Sequence, residues 1–152
     1  MEKSINRDDF AMNNVERFQF SKTENTPGEF GFRPLLPITL MYQQQSLTLD
    51  GLLDTGANVN VLPYGLGLEL GCEWERQTDR LTLSGNLARY EARVVVLQGK
   101  VGTFQRTPLV FAWTQAENVP LILGQVNFFL AFDVCFYRSN LMFDVRPINN
   151  AG

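Results

Sequence analysis

From Phe30 onward, apolar residues recur with a short, strand-like period, broken every eight to twelve residues by polar turns. This pattern, more than any other feature, limits the fold. Strands are expected over residues 36–42, 46–53, 80–84, 88–97, 102–113 and 140–145. Turns are expected at Gln43-Gln44-Gln45, Ser84-Gly85-Asn86, Gln98-Gly99-Lys100 and Tyr137-Arg138-Ser139. Two segments read as helical. Residues 63–70 start with a proline suited to a first turn and stop at Gly71, with Gly65 and Gly67 weakening the helix. Residues 125–132 place Val126, Phe129 and Leu130 or Phe132 on one face. Many short strands with one or two short helices predict a mainly β chain, a small barrel or sandwich.

A chain of 152 residues suits one domain and buries a real core. Residues 1–29 are polar and irregular, ending in Thr26-Pro27-Gly28, and read as a partly flexible extension. The alternation at Phe18 and Phe20 allows one short strand there. The body then spans 30–147, and 148–152 is a C-terminal tail. No internal repeat or low-complexity tract is present.

Composition excludes several functions. The net charge is −3 and the basic residues are scattered, which argues against a nucleic-acid surface. No apolar run approaches the length needed to cross a bilayer, and residues 1–10 lack an apolar signal core, so a cytoplasmic location is expected. There is no histidine, which removes Ser-His and Cys-His mechanisms. Cys72 and Cys135 are too far apart in sequence to suggest a metal site and are expected to be buried free thiols; neither metal nor cofactor is expected. Trp74, Trp113 and Phe128 read as core or interface, and Glu69, Glu73 and Glu75 as a solvated face. For hydrolysis, carboxylate chemistry remains.

The informative stretch is Leu52-Leu53-Asp54-Thr55-Gly56-Ala57-Asn58-Val59-Asn60-Val61-Leu62-Pro63. A carboxylate leaves an apolar strand at a Thr-Gly turn, and a second apolar strand follows. Buried flanks would fix the loop, and Gly56 lets backbone N–H groups approach the acid. Asp-Thr-Gly alone is an ordinary turn sequence; the apolar flanks set this one apart.

With these residues the chain resembles the retropepsin-type aspartic proteases over about residues 30–147. The family's first motif corresponds to Leu52 through Ala57. Its second, two apolar residues and a glycine before a short helix, corresponds to Ile122-Leu123-Gly124 and then Gln125. The resemblance implies half of an acid protease: a small closed β-barrel that works as a homodimer on polypeptide substrates. Asp54 would be the catalytic residue, Thr55, Gly56, Ala57 and Asn58 its loop, and Ile122, Leu123, Gly124 and Gln125 its support. A hairpin flap over residues 81–96 would bring Ser84, Gly85 and Asn86 over bound peptide, with Gly85 supplying a positive φ. Residues 141–145 would help form the dimer interface.

Two carboxylates sharing one proton are needed for this chemistry, because like charges that close cannot both ionise. Asp8, Asp9, Asp50, Asp79, Asp133 and Asp144 all lack a following Ser/Thr-Gly. The second acid is therefore expected from a twofold-related copy, with Thr55 bonding across the axis by the same resemblance. The chain departs from the family in two ways. Where retroviral members often carry an acid and an arginine that pair, it has Asn58 and Gln125, expected to bond amide to amide. Its flap also lacks a Gly-Gly tip. The expected activity is that of an endopeptidase. The competing functions are a non-catalytic peptide-binding or assembly module, and a maturation protease acting on its own chain near Pro27.

Overall fold

Strand β5 (Gln45–Leu53) runs alongside its predecessor β4 (Leu35–Tyr42) in antiparallel register, Leu36 opposite Gly51 and Leu40 opposite Leu47. The computed structural model describes residues 14–148, in two compact units: Leu35–Leu130, and residues 14–34 together with 131–148.

The larger unit continues with β6 (Asn60–Pro63), helix α1 (Tyr64–Glu69), β7 (Arg80–Leu81), β8 (Ala92–Lys100), β9 (Thr107–Thr114) and the two-residue β10 (Ile122–Leu123). The strand order is β4-β5-β10-β6-β9-β8-β7, and β4 also pairs with β8. That last pairing closes six strands into a barrel, so the expected closed barrel is present. Its interior is filled by Leu36, Ile38, Leu40, Leu62, Leu97, Leu109, Phe111 and Trp113, all essentially inaccessible to water. Alternation along β4 and β8 sends Leu36, Ile38, Leu40 and Leu97 inward and their neighbours outward.

Several expected boundaries move. Gln98-Gly99-Lys100 is not a turn but the end of β8, paired with residues 39–41 of β4 and 107–108 of β9. Gly99 is there for space: a Cβ on it would lie 2.5 Å from Leu109 Cδ1. The chain turns later, where Phe104 N–H donates to Val101 O. The second helix shrinks to one turn, α2 (Phe128–Ala131). Of the expected face, Phe132 is buried and Phe129 half-buried, but Val126 and Leu130 are exposed, and the fully buried Phe128 was not part of it.

In the smaller unit, β1 (Glu16–Gln19), β11 (Phe132–Tyr137) and β12 (Met142–Pro147) form a sheet ordered β1-β12-β11. Phe18 stacks on Phe143 with centroids 5.5 Å apart, and Phe20 meets the same ring edge-on. The other face carries the ion pairs Arg17–Asp144 and Arg146–Asp133. A ribbon of β2 (Ser21–Thr26) and β3 (Glu29–Arg33) turns at Pro27-Gly28. The one strand expected near Phe18 and Phe20 is thus two, and Thr26 to Glu29 is a built turn rather than irregular chain. The rest of the expected extension, residues 1–13, lies outside the described residues, as does 149–152 of the expected tail. β12 is hydrogen-bonded on both sides within its own chain, so residues 141–145 cannot offer a strand edge to a partner; the outer edges belong to β1 and β11.

The thiols divide. Cys72 is buried, which pushes it up to about 11, while Cys135 is exposed, contrary to expectation. Among the described residues no helix is long and apolar enough to cross a membrane.

Candidate active site

β10 lies between β5 and β6, parallel to the first (Leu52 opposite Ile122, Leu53 opposite Leu123) and antiparallel to the second (Val61 opposite Ile122). The loop from Asp54 to Val59, which joins β5 to β6, therefore folds against the end of β10. This brings the two sequence motifs together, some seventy residues apart along the chain. Asp54 N–H donates to Leu123 O at 3.0 Å, anchoring the acid's backbone to the second motif.

The carboxylate of Asp54 is partly exposed. Its Oδ1 accepts the N–H of Gly56 at 2.9 Å, and Ala57 N–H donates to Asp54 O at 3.1 Å. The turn thus fixes both the main chain and the side chain of the acid, the use expected of Gly56.

Gly124 packs directly beneath this loop. A Cβ there would lie 2.5 Å from Val59 O and 2.8 Å from Ala57 O, both backbone atoms that cannot yield, so only glycine fits. Beyond it, Gln125 N–H donates to Ala57 O at 2.9 Å and Val126 N–H donates to Asn58 O at 2.8 Å. The side chain of Gln125 donates through Nε2 to Thr55 O at 2.8 Å. The amide pair expected between Asn58 and Gln125 is not formed. Gln125 reaches the main chain of the loop instead, and the Asn58 side chain is exposed.

The sequence reading missed Asn60. It is fully buried at the start of β6, with Oδ1 accepting the N–H of Gly124 and Nδ2 donating to Val110 O and to Asn127 Oδ1. The only local signal was a polar residue inside the apolar run Val59 to Leu62.

Next to the loop is an open cavity of about 160 Å³, lined by Ala57, Asn58, Val59, Val61, Thr82, Leu83, Ser84, Leu87 and Ile122. Its floor continues into the packed group Val61, Leu83, Ala92 and Ala112. The expected flap is divided by this geometry. Ser84 faces the cavity, whereas Gly85 and Asn86 line a shallow depression with Ala88 and Arg89. Across this segment Arg80 pairs with Arg93 and Leu81 with Ala92, while residues 92–96 pair on their other side with β9; between Leu81 and Ala92 a 3-10 turn, Gly85–Leu87, stands where the ribbon was expected. Gly85 has φ +65°, the positive value expected of it. Among the described residues no group of three metal-ligating side chains forms.

A six-stranded barrel with an Asp-Thr-Gly loop seated on an Ile-Leu-Gly strand defines the retropepsin class of acid protease. The chain belongs to the aspartyl protease family, whose profile matches residues 38–126. Among solved structures, a retropepsin-like aspartic protease from Rickettsia conorii superimposes with a TM-score of 0.55 at 14% identity, covering 88% of this chain and 92% of that one. EIAV protease complexed with the inhibitor HBY-793 gives a TM-score of 0.43 at 19% identity, covering 68% and 88%. No curated protein matches the chain.

Proposed function

We propose that the chain is an aspartic endopeptidase in which Asp54 and its copy in a second identical chain form the reacting pair. The observation carrying this reading is the partly exposed Asp54 carboxylate, held by Gly56 N–H on a loop braced by Gly124 and Gln125 and open beside an apolar cavity. The sequence supplies only one Asp-Thr-Gly, so the second acid comes from a twofold mate.

Brought close, the two carboxyls hold one proton between them and titrate as a pair. The ionised member draws a proton from a water, which attacks the scissile carbonyl; the protonated member donates to that carbonyl's oxygen. Gly56 keeps one oxygen of each acid engaged and so fixes the plane in which the other faces the water. An extended peptide crosses the site by strand-like pairing and places a side chain in the cavity between Val59, Leu83 and Ile122. Since β12 is enclosed, strand pairing between the copies would use the edge of β1 or β11.

A second reading, a peptide-binding module without catalysis, draws on the loop 82–91, which is not the ribbon expected of a mobile flap. Asp54→Asn separates the two. The variant keeps the wild-type circular dichroism and unfolding midpoint, and cleavage of a denatured protein substrate falls by about 10²–10⁴-fold. Titrating it into the wild type at constant total protein lowers activity as the square of the wild-type fraction, to about one quarter at equal amounts, because mixed pairs hold one aspartate. Cleavage by Asp54→Asn at the wild-type rate would sink the proposal. A linear fall on mixing would remove the shared site.

A further inference from the structure

Asn60 is buried to the last atom, yet both of its polar side-chain atoms are hydrogen-bonded. Oδ1 accepts Gly124 N–H at 2.8 Å; Nδ2 donates to Val110 O at 3.0 Å and to Asn127 Oδ1 at 3.2 Å. Asn127 Oδ1 also accepts Val110 N–H at 3.0 Å. The orientation of the Asn60 amide is fixed by its partners, since a backbone N–H only donates and a backbone carbonyl only accepts. One side chain thus ties β6 to β9 and to the segment that follows β10.

What it ties down matters more than the tie. Gly124 precedes Gln125, whose two donors hold Ala57 O at 2.9 Å and Thr55 O at 2.8 Å. Those carbonyls flank Gly56, whose N–H holds Asp54 Oδ1. We propose that Asn60 is the positioning residue of the Asp54 loop: by fixing Gly124 it sets Gln125, and through Gln125 the direction in which Asp54 presents its carboxylate. This rests on Asp54 being the reacting group.

A neutral brace suits the site. The elements bonded to Asn60 present Val110 from β9 and Gly124, Gln125, Val126 and Asn127 from the segment after β10, none of them titratable. On its own loop the titratable side chain is Asp54. The brace therefore keeps its geometry while the reacting acids exchange their proton.

Asn60→Asp tests this by making the brace titratable. The new carboxyl still accepts from Gly124, but it donates toward Val110 O or Asn127 Oδ1 only while protonated; ionised, it faces acceptors in a buried place. As pH rises between about 4 and 7, kcat of the variant is expected to fall about tenfold per unit once the carboxyl ionises, relative to wild type, with KM held within about twofold. In the same range amide exchange quickens at Gly56, Ala57 and Gln125, while β4 and β8 stay protected. Asn127→Asp, whose Oδ1 only accepts, adds no such pH limb. Should Asn60→Asp not fold, Asn60→Ser at a single pH reads the same three amides. Parallel pH profiles, or protection lost evenly around the barrel, would overturn the proposal and leave Asn60 a stabilising residue only. A wild type without cleavage would sink the protease reading, and the exchange pattern would still decide the role of Asn60.

Discussion

Gln125 donates its side-chain amide to the backbone carbonyl of Thr55 across 2.8 Å and seventy positions of sequence. The bond joins the residue after Ile122-Leu123-Gly124 to the residue after Asp54. It does so without charge, and it acts on main chain rather than on another side chain.

Replacing that donor with an acceptor of the same shape isolates its value. In Gln125→Glu at neutral pH, a carboxylate oxygen faces the Thr55 carbonyl. The exposed bond is lost at about 1 kcal/mol, which lowers the unfolding midpoint by roughly 2–4 °C. Below about pH 4 the protonated acid donates again and the difference narrows. Thermal unfolding of both proteins at the two pH values checks this; equal midpoints at neutral pH would show that the bond does not brace the loop.

The two motifs were legible because each is local: apolar strand, acid, Thr-Gly, and apolar pair, glycine. Their juxtaposition was implied only by resemblance, since the pairing of Leu52 with Ile122 is a long-range contact that no local pattern encodes. Asn60 stayed hidden because asparagine inside an apolar run ordinarily marks a turn; it is buried here to satisfy Gly124 N–H and Val110 O, which are remote in sequence. Gly99 misled in the opposite sense, as a glycine chosen for the bulk of Leu109 rather than for a bend. The α2 face was misread because one helical turn is too short for periodicity to define a face.

The same distinction yields opposite predictions for two glycines of α1. Propensity alone says that either glycine to alanine should stabilise the helix by about 1 kcal/mol. Gly65 has open space around it, so Gly65→Ala should deliver about that gain. Gly67 sits on the indole of the fully buried Trp113, which a Cβ would overlap. That indole donates to Tyr64 O at 3.1 Å, stacks on the Tyr64 ring and meets Trp74 edge-on, so it cannot move aside. Gly67→Ala should destabilise by about 1–3 kcal/mol. Urea unfolding of the two variants decides; stabilisation by both would mean that helix propensity outweighs the contact.

In the terminal sheet, Arg17 of β1 and Asp144 of β12 are cross-strand partners joined by two bonds, Nε to Oδ1 at 2.7 Å and Nη2 to Oδ2 at 3.1 Å. The hydrogen bond from Arg17, aided by its charge and opposed by partial burial, holds the Asp144 carboxyl below the usual carboxylate range. A carboxyl lowered by folding stabilises fully above its unfolded value of about 4, and loses that contribution as pH falls through the lowered value. Asp144→Asn should therefore unfold at a lower temperature than the wild type by a constant margin from neutral pH down to about 5, and the margin should close in more acid solution. The pair is one of the side-chain ties between β1 and β12, so amide exchange in β1 should quicken in the variant over that same neutral range. A margin that persists undiminished to about pH 2 would show that Asp144 acts through packing rather than through its charge.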